Sequence, residues 1–423
     1  MKNFIFISPH FPSTYWHFLK ELKENGFRVL GIGDAPWDEV NEETKRYLDE
    51  YYGCWNMDNF DNEIEAVRYF ENKYGHIDYL ESNSEYWLEK DAKLRDLFNI
   101  NGIRSELLKT YQHKSLMKER YKKAGVKTAK YILVDTLENL RKFAKEVGFP
   151  IFAKPDMGVG AAGDYKITND EELVAFYEEK DANVTYICEQ YVTGNIVTFD
   201  GVCDSNSKPI FAMSEVFPPS ISEIVESHLD VFYYCLPKVP ADLAKIGPAV
   251  LKSFEVKNRF FHLEFFRLTK DIDGLGKTGE IVALETNMRA PGGFTPDLLN
   301  YASSSDCYKA FADSIAFDKT DLDIKKEKYY AACASRRDEY EYFYSDEEVL
   351  AAWSNQIVQH GRYADVFAGA MGNRYFMARF KSLEEMNVFK EYVSRRVGDI
   401  IKAPKTSKKK QTGPICDTHV DGA

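Results

Sequence analysis

The chain has 423 residues, and at roughly 150 residues per domain this length predicts about three domains. Its 44% hydrophobic and 29% charged residues are typical of soluble globular proteins and exclude collagen-like, fibrous and wholly disordered chains. With 55 basic and 67 acidic residues the net charge is −12, which disfavours nucleic acid as a partner. The sequence has no signal-like apolar segment and no apolar run approaching roughly 18 residues, so we expect a cytoplasmic protein without membrane contact.

The seven cysteines show no CxxC pair and no zinc-like spacing. An odd number of unpaired cysteines argues against both a disulfide framework and a structural metal site. We therefore expect them to be small buried hydrophobic residues.

Strands and helices alternate in the first hundred residues. Two apolar runs that read as strands flank a helical pattern that ends at Gly26, which is the order of a βαβ unit. The pattern predicts strands at 4–7, 27–32 and 76–80 and helices at 15–25, 63–74 and 85–97. Residues 1–104 are thus predicted to form a small parallel α/β domain.

The middle of the chain, residues 105–324, changes from helices to strands. Helical patterns cover 105–125 and 137–147, and several of the following apolar runs are joined by glycine-containing turns. Strands are predicted at 151–153, 185–188, 196–202, 210–216, 260–268 and 281–288. A mainly antiparallel sheet fits this order best.

The last part of the chain is predicted to be a small α+β subdomain over residues 325–400. The pattern indicates strands at 329–334, near 364–368 and at 374–380, and helices at 346–353 and 383–396. Residues 401–423 are polar, rich in lysine and without periodicity, so we predict a disordered tail.

A glycine-rich loop follows the apolar strand that ends at Lys154. Gly158, Gly160 and Gly163 leave the backbone N–H groups open to phosphate oxygens, and Lys154 adds a positive charge. The same glycines match the dinucleotide fingerprint, but that motif must open a helix, whereas a strand-like segment follows here. No Gly-Lys-Ser/Thr closes the loop as in a Walker motif, and a plain glycine turn stays an open alternative.

Two strand-like runs carry polar residues at the two-residue period of a strand. His262 and Glu264 share one face of the first run. Glu285, Asn287 and Arg289 share one face of the second. If the runs pair as a hairpin, these side chains converge, and the carboxylates with the amide suit a hard cation such as Mg²⁺. A solvated sheet face is the alternative.

A further strand ends at Glu189 and passes through Val192 into a turn at Gly194 before the next strand begins. Alone, this segment is only a hairpin. Its exposed backbone N–H and C=O groups, however, can recognise the edge of an adenine ring.

The order of these motifs resembles that of the ATP-grasp superfamily, and most of all its carboxylate–amine ligases, which include the L-amino acid ligases. The matching motifs are Lys114, Lys154 with its glycine loop, Glu189 to Val192, Glu264, and Glu285-x-Asn287-x-Arg289 followed by Gly292 and Gly293. The resemblance covers roughly residues 1–400. It implies an N-terminal Rossmann-like pre-ATP-grasp domain, a central antiparallel-sheet nucleotide clasp and a C-terminal α+β subdomain.

The resemblance also implies residues that bind the nucleotide. Lys114 and Lys154 would contact the ATP phosphates, and the loop from Gly158 through Gly160 to Gly163 would close over them. Glu189 and Val192 would lie at the adenine edge.

The remaining transferred roles concern the metal and the substrates. Glu264 and Glu285 would hold Mg²⁺ with the help of Asn287, and Mn²⁺ could replace Mg²⁺. Arg289 would face the substrate carboxylate or the acyl phosphate, and His228 would contact the incoming amine.

The sequence departs from the family at one position. An acidic residue that binds the ribose usually follows the adenine-edge glutamate by about seven residues, but Ile196 occupies that position here. Either the affinity for the nucleotide is reduced, or Asn195 or Asp200 takes the place of the acidic residue.

The function implied is that of an ATP- and Mg²⁺-dependent ligase, which activates a carboxylate as an acyl phosphate and joins it to an amine. Its partners would be a small-molecule carboxylate and a small-molecule amine, both expected to be amino acids, and a homodimer is the expected oligomer. Two alternatives stay open: a carboxylase resembling biotin carboxylase, and a non-catalytic ATP-binding protein.

Overall fold

The computed structural model describes residues 1–158, 163–218, 229–323, 325–365 and 368–398. Within these ranges, no helix has both the length and the apolar character needed to cross a membrane. The six cysteines in the same ranges are all buried and unpaired, as the sequence predicts. The predicted disordered tail, residues 401–423, lies outside the described residues.

The N-terminal region is a four-stranded parallel sheet with helices, in the strand order β3-β2-β1-β4. All five residues of β1 are buried, which explains the unbroken apolar run of the sequence. The pairing of β1 with β2 confirms the predicted βαβ unit. The elements are β1 (Asn3–Ile7), α1 (Trp16–Glu24), β2 (Arg28–Gly33), α2 (Glu42–Tyr47), β3 (Glu50–Gly53), α3 (Phe60–Tyr74), β4 (Tyr79–Glu81) and α4 (Leu88–Phe98).

The helical pattern at 105–125 proves to be two helices, α5 (Ser105–Gln112) and α6 (Lys114–Lys123). The chain leaves helical geometry at His113, whose φ of −88° and ψ of 114° are those of an extended residue. The Asp156 carboxylate compensates for the break, because it accepts a hydrogen bond from the Ser115 N–H at 2.8 Å and lies 2.9 Å from the His113 ring. This contact ties the start of α6 to the segment before the glycine loop.

A four-stranded antiparallel sheet with the order β5-β8-β6-β7 forms the next layer. Two helices cover it, and Leu140, Phe143 and Ala144 of the first helix enter its core at helical spacing. The elements are β5 (Tyr131–Leu133), α7 (Leu137–Val147), β6 (Ile151–Pro155), β7 (Tyr165–Ile167), α8 (Asp170–Glu179) and β8 (Tyr186–Gln190). Lys154 therefore sits near the end of β6, as predicted.

The centre of the molecule is a larger antiparallel sheet. The predicted strand at 210–216 is two strands here, since β10 and β11 pair with different parts of the long strand β9. The elements are β9 (Gly194–Cys203), β10 (Pro209–Met213), β11 (Glu215–Phe217), β12 (Phe232–Cys235), α9 (Ala241–Ser253), β13 (Phe260–Leu268), β14 (Ile281–Asn287), α10 (Thr295–Ser303) and α11 (Cys307–Phe317).

The C-terminal strands extend this same sheet, whose order is β14-β13-β9-β11-β12-β15-β17-β16. Strand β16 lies earlier than the strand predicted near 364–368; within that predicted range, residues 366 and 367 lie outside the described residues, and a short helix begins at Ala368. In β16 the half-exposed, partly polar residues of an end strand obscure the alternation on which prediction depends. The elements are β15 (Tyr330–Arg336), α12 (Asp346–Ala352), β16 (Ile357–Arg362), α13 (Ala368–Met371), β17 (Arg374–Phe380) and α14 (Leu383–Ser394).

The N-terminal sheet and the central sheet share buried contacts. Phe18 of α1 packs edge-on against Tyr308 of α11, with ring centroids 4.7 Å apart. Beside this core, the Arg259 guanidinium lies 2.9 Å from the Glu81 carboxylate, and Arg95 lies 3.0 Å from the same oxygen. Burial alone would raise the pKa of Glu81, but the two arginines lower this pKa below its usual value.

We predict that Arg259→Met lowers the free energy of unfolding by about 3 kcal/mol, because it removes one partner of a buried ion pair. Urea denaturation of both proteins measures the difference. Arg141→Met is the matched control, since Arg141 and Asp170 form a solvent-exposed pair whose loss should change the free energy of unfolding much less. Equal losses in the two variants would contradict a special role for the buried pair.

Candidate active site

Four polar side chains face one another on the hairpin of β13 and β14. Glu264 lies opposite Glu285, and His262 lies opposite Asn287. The side chains that alternate with them in β13 are fully buried in the core. The predicted hairpin and its shared polar face are therefore confirmed.

The two facing carboxylates differ in their electrostatic environments. Burial would raise the pKa of Glu264, but the hydrogen bond and charge of His262 lower it below the usual value. Burial and the neighbouring Glu264 charge raise the pKa of Glu285, although Lys114 and Lys154 oppose the shift. Facing carboxylates that repel each other, together with the amide of Asn287, fit a divalent cation.

Three lysines form a second group of charges, next to the carboxylate pair. Lys118 lies 2.9 Å from the Glu189 carboxylate, and Lys154 lies 3.6 Å from it. Lys114, at the start of α6, is also buried. The single negative charge of Glu189 does not neutralise the positive charges of all three lysines. The excess positive charge favours the binding of an anion such as a polyphosphate.

Burial and mutual attraction shift the pKa values of Glu189, Lys118 and Lys154 in different directions. Burial alone would raise the pKa of Glu189, but Lys118 and Lys154 lower this pKa below its usual value. Burial would also lower the pKa of Lys154, but Glu189 and Glu285 raise it above the usual lysine value. Lys118 differs, because burial outweighs the attraction of Glu189 and lowers its pKa. Lys154 is therefore the firmer positive charge.

The glycine loop begins beside Lys114. The Lys114 ammonium donates to the carbonyl oxygen of Gly158 at 3.0 Å. Gly158 and Gly163 have φ values of +144° and +83°, which favour glycine at both ends of the loop. Gly160 lies outside the described residues.

The segment after β8 was predicted to lie at the adenine edge. The side chain of Glu189, within β8, points to Lys118 and Lys154, and its predicted place at the adenine edge stays a prediction. Val192 follows in an irregular stretch and packs against the small apolar cluster of Leu268, Leu275 and Val282. Adenine recognition by the backbone of this stretch stays a prediction.

We predict that Glu189→Gln lowers the free energy of unfolding by about 3–5 kcal/mol without nucleotide, because two buried lysines lose their common counter-charge. Urea denaturation measures the change. The control is Glu146→Gln, whose exposed partner Lys130 stays solvated and which should change stability by less than about 1 kcal/mol. A Glu189 variant as stable as the control would contradict the buried cluster.

The three positions considered for ribose binding, Asn195, Ile196 and Asp200, all lie in strand β9. Ile196 is buried in β9 and Asn195 beside it is exposed. Asp200 is fully buried, and its carboxylate accepts hydrogen bonds from His262 and Thr198. Asp200 is therefore held in the interior by these hydrogen bonds, while ribose binding by Asn195 and a reduced nucleotide affinity both stay predictions.

Arg289 connects the hairpin to the N-terminal sheet. Its Nε donates to Glu85 at 2.8 Å and its Nη1 donates to the carbonyl of Ala290 at 2.9 Å. Glu85 follows β4 at the carboxyl end of the parallel sheet, where ligands commonly bind in α/β proteins. The arginine is thus held at the boundary between the two sheets, close enough to Glu264 to lower its pKa. His228, predicted to contact the amine, lies outside the described residues.

Sequence reasoning missed two residues of this site and the environment of a third. Lys118 follows Lys114 by one helical turn, a spacing that places both on one face of α6 and could have revealed it. Glu85 could have been found from its position shortly after a predicted parallel strand, because ligands commonly bind at the carboxyl ends of such strands. Asp200 was considered only for ribose, and its contact with His262 depends on the pairing of β9 with β13.

Comparison with known proteins relates this geometry to enzymes that use ATP. The family model "Carbamoyl-phosphate synthase L chain, ATP binding domain" matches residues 113–193, the segment that carries the lysines and Glu189. The L-arginine-specific L-amino acid ligase of Bacillus subtilis is 23% identical over 228 residues. That alignment covers 52% of this chain and 53% of the ligase, so the chain spans about half the length of this curated relative.

Solved structures match over almost the whole chain. The L-amino acid ligase of Bacillus licheniformis superposes with a TM-score of 0.69 at 14% identity, covering 93% of this chain and 97% of that one. The biotin carboxylase domain of 2-oxoglutarate carboxylase from Hydrogenobacter thermophilus, a complex with MgADP, ADP and bicarbonate, has a TM-score of 0.63 at 16% identity. This match covers 92% of this chain and 89% of the biotin carboxylase domain chain.

Proposed function

The chain has the ATP-grasp fold, and we propose that it is an ATP-dependent ligase that joins a carboxylate to an amine, with amino acids as both substrates. One observation carries the proposal: the buried lysines and the facing carboxylates Glu264 and Glu285 lie together. Lys114 and Lys154 are close enough to act on the pKa of Glu285. A site of this kind brings polyphosphate-binding charge and cation ligands to one place.

The reaction has two steps. An oxygen of the substrate carboxylate attacks the γ-phosphorus of ATP, and ADP leaves to give an acyl phosphate. The amine nitrogen then attacks the acyl carbon, so that a carbon–nitrogen bond forms as the bond to phosphate breaks, and one proton is released. In the first step two anions meet, so positive charge at the site must lower the barrier.

The residues of this chain supply that charge from fixed positions. Lys154 and Lys114 would bind the phosphates, and Glu189 holds Lys154 and Lys118 in place. Glu264 and Glu285, with Asn287, would hold Mg²⁺ or Mn²⁺. The metal ion would neutralise part of the phosphate charge.

Arg289 would bind the substrate carboxylate at the boundary between the two sheets. Its ion pair with Glu85 fixes the guanidinium there and leaves it beside the carboxylate pair. A guanidinium suits this task because its planar N–H groups match a carboxylate. Closure of the loop from Gly158 to Gly163, which would exclude water from the acyl phosphate, belongs to the same proposal.

A carboxylase that activates bicarbonate is the second candidate, favoured by the fold shared with the biotin carboxylase domain. The likeness to two L-amino acid ligases, one by sequence and one by structure, supports an amine acceptor instead. A non-catalytic ATP-binding protein would have little need for both Glu264 and Glu285. A cytoplasmic location and a homodimer stay predictions from the sequence.

Phosphate release from MgATP, measured with amino acids singly and in pairs, tests the proposal. We expect release to require one particular pair, with ADP and a dipeptide as products identified by mass spectrometry. Glu285→Gln, assayed in parallel, excludes a contaminating ATPase. Release that depends on bicarbonate would contradict the amine ligase, and no release with any acid or amine would favour the non-catalytic alternative.

A further inference from the structure

His262 lies between two carboxylates beneath the proposed metal site. Its Nε2 is 2.9 Å from Oε1 of Glu264, and its Nδ1 is 2.6 Å from Oδ1 of Asp200. The imidazole is nearly inaccessible, and Asp200 is completely buried. His262 therefore has no solvent-facing task, yet it contacts one of the proposed cation ligands directly.

The backbone fixes the arrangement on three adjacent strands. His262 lies opposite Asp200 in the pairing of β13 with β9, and Glu264 lies opposite Thr198. The Thr198 hydroxyl donates to Asp200 and accepts from the backbone N–H of Glu215 in β11 at 2.9 Å. Asp200 is thus held through both of its carboxylate oxygens, Oδ1 by His262 and Oδ2 by Thr198, and it cannot turn without breaking this chain of hydrogen bonds.

A separate buried metal site is the other reading of this cluster, since Asp200, Glu215 and His262 have potential ligand atoms within 4.8 Å of one another. Metal binding by a histidine needs a ring nitrogen with a free lone pair. Both nitrogens of His262 lie at hydrogen-bond distance from carboxylate oxygens. The geometry therefore favours an internal support over a second cation.

We propose that His262 is a positioning residue that, anchored by Asp200, holds the Glu264 carboxylate in the orientation that a divalent cation requires. The proposal rests on the proposed function, because it takes Glu264 and Glu285 as the metal ligands. Glu264 has three rotatable side-chain bonds and faces a like charge on Glu285, so without a support it would turn away. Hydrogen-bonded partners behind a ligand commonly set its orientation and affinity.

The test measures Mn²⁺ directly, by the loss of the free-ion electron paramagnetic resonance signal in the presence of ADP. His262→Asn keeps a donor near Asp200 but is too short to reach Glu264. We expect it to weaken Mn²⁺ binding about tenfold or more. His262→Gln returns an N–H to the level of Nε2, and we expect it to recover most of the affinity.

The matched control is Tyr111→Phe, which removes another buried hydrogen bond, from the Tyr111 hydroxyl to the Phe254 carbonyl, outside the site. It should leave Mn²⁺ affinity unchanged even if it lowers stability. ADP binding in EDTA, measured by calorimetry, should be the same in all four proteins, because the support acts on the metal ligand.

The outcomes separate the two proposals. If wild type binds Mn²⁺ with ADP and His262→Asn binds it equally well, the positioning role is rejected while the ligase proposal stands. Equal weakening in the asparagine and glutamine variants would also reject the positioning role. The N–H that glutamine returns at the level of Nε2 would then have no effect on Mn²⁺ binding. If wild type binds no Mn²⁺ in the presence of ADP, the metal ligands themselves are wrong and both proposals fall.

Discussion

Glu285→Gln is expected to lower ATP-dependent turnover by about 100-fold or more while the protein stays folded. The glutamine keeps the size of the side chain but removes one of the two facing carboxylates, so cation binding and the charge balance around the phosphates both suffer. Turnover at saturating MgATP and amino acids, with circular dichroism as the test of folding, measures the effect.

The same variant should be as stable as wild type, or more stable, when no metal is present. Burial and the Glu264 charge raise the pKa of Glu285, so its ionisation costs stability as the pH rises above the usual carboxyl range. Glutamine does not ionise and avoids this cost. Thermal unfolding at pH 8 in EDTA checks the direction of the change.

Glu280→Gln is the matched control, because Glu280 lies just before the same strand β14 and forms an exposed ion pair with Lys127. We expect this control to keep its turnover. A Glu285 variant with wild-type turnover would show that the carboxylate pair takes no part in the reaction, and the metal assignment would have to be abandoned.

Lys154→Met is expected to lower turnover by about 100- to 1000-fold, the loss found when one fixed electrostatic contact to a transition state is removed. Methionine preserves much of the apolar stem but not the ammonium group, whose raised pKa keeps it charged in the buried site. Because negative charge grows on the transferring phosphate, the turnover number should fall more than the apparent affinity for ATP. Steady-state kinetics with varied MgATP separates the two.

Lys142→Met serves as the control for Lys154→Met. Lys142 lies on the exposed side of α7, the first of the two helices that cover the four-stranded sheet containing Lys154. Its ion pair with Glu138 is a surface pair. Its removal should leave the kinetics unchanged. If Lys154→Met raised only the Michaelis constant for ATP, Lys154 would contribute to nucleotide binding alone, contrary to the proposed role in phosphoryl transfer.

The sequence by itself determined those parts of the site that depend on local periodicity. A strand turns successive side chains to opposite faces, so the spacing predicted that His262 and Glu264 share one face of the first run and Glu285 and Asn287 one face of the second. That the two faces meet was predicted only on the condition that the runs pair as a hairpin, which the structure shows. Likewise, an apolar run followed by glycines located Lys154 at the end of β6. The helices α1, α3 and α7 followed from apolar residues at helical spacing and from glycine at their ends.

Only the tertiary structure decided which distant charges meet. Glu85 and Arg289 are 204 positions apart, and they pair because the parallel sheet packs against the central sheet. The ion pair between Glu189 and Lys118 depends on how α6 lies relative to β8. The contact between His262 and Asp200 depends on the pairing of β13 with β9, in addition to its pairing with β14. No periodicity within one segment encodes such contacts, since they arise from the packing of whole elements through their buried apolar faces.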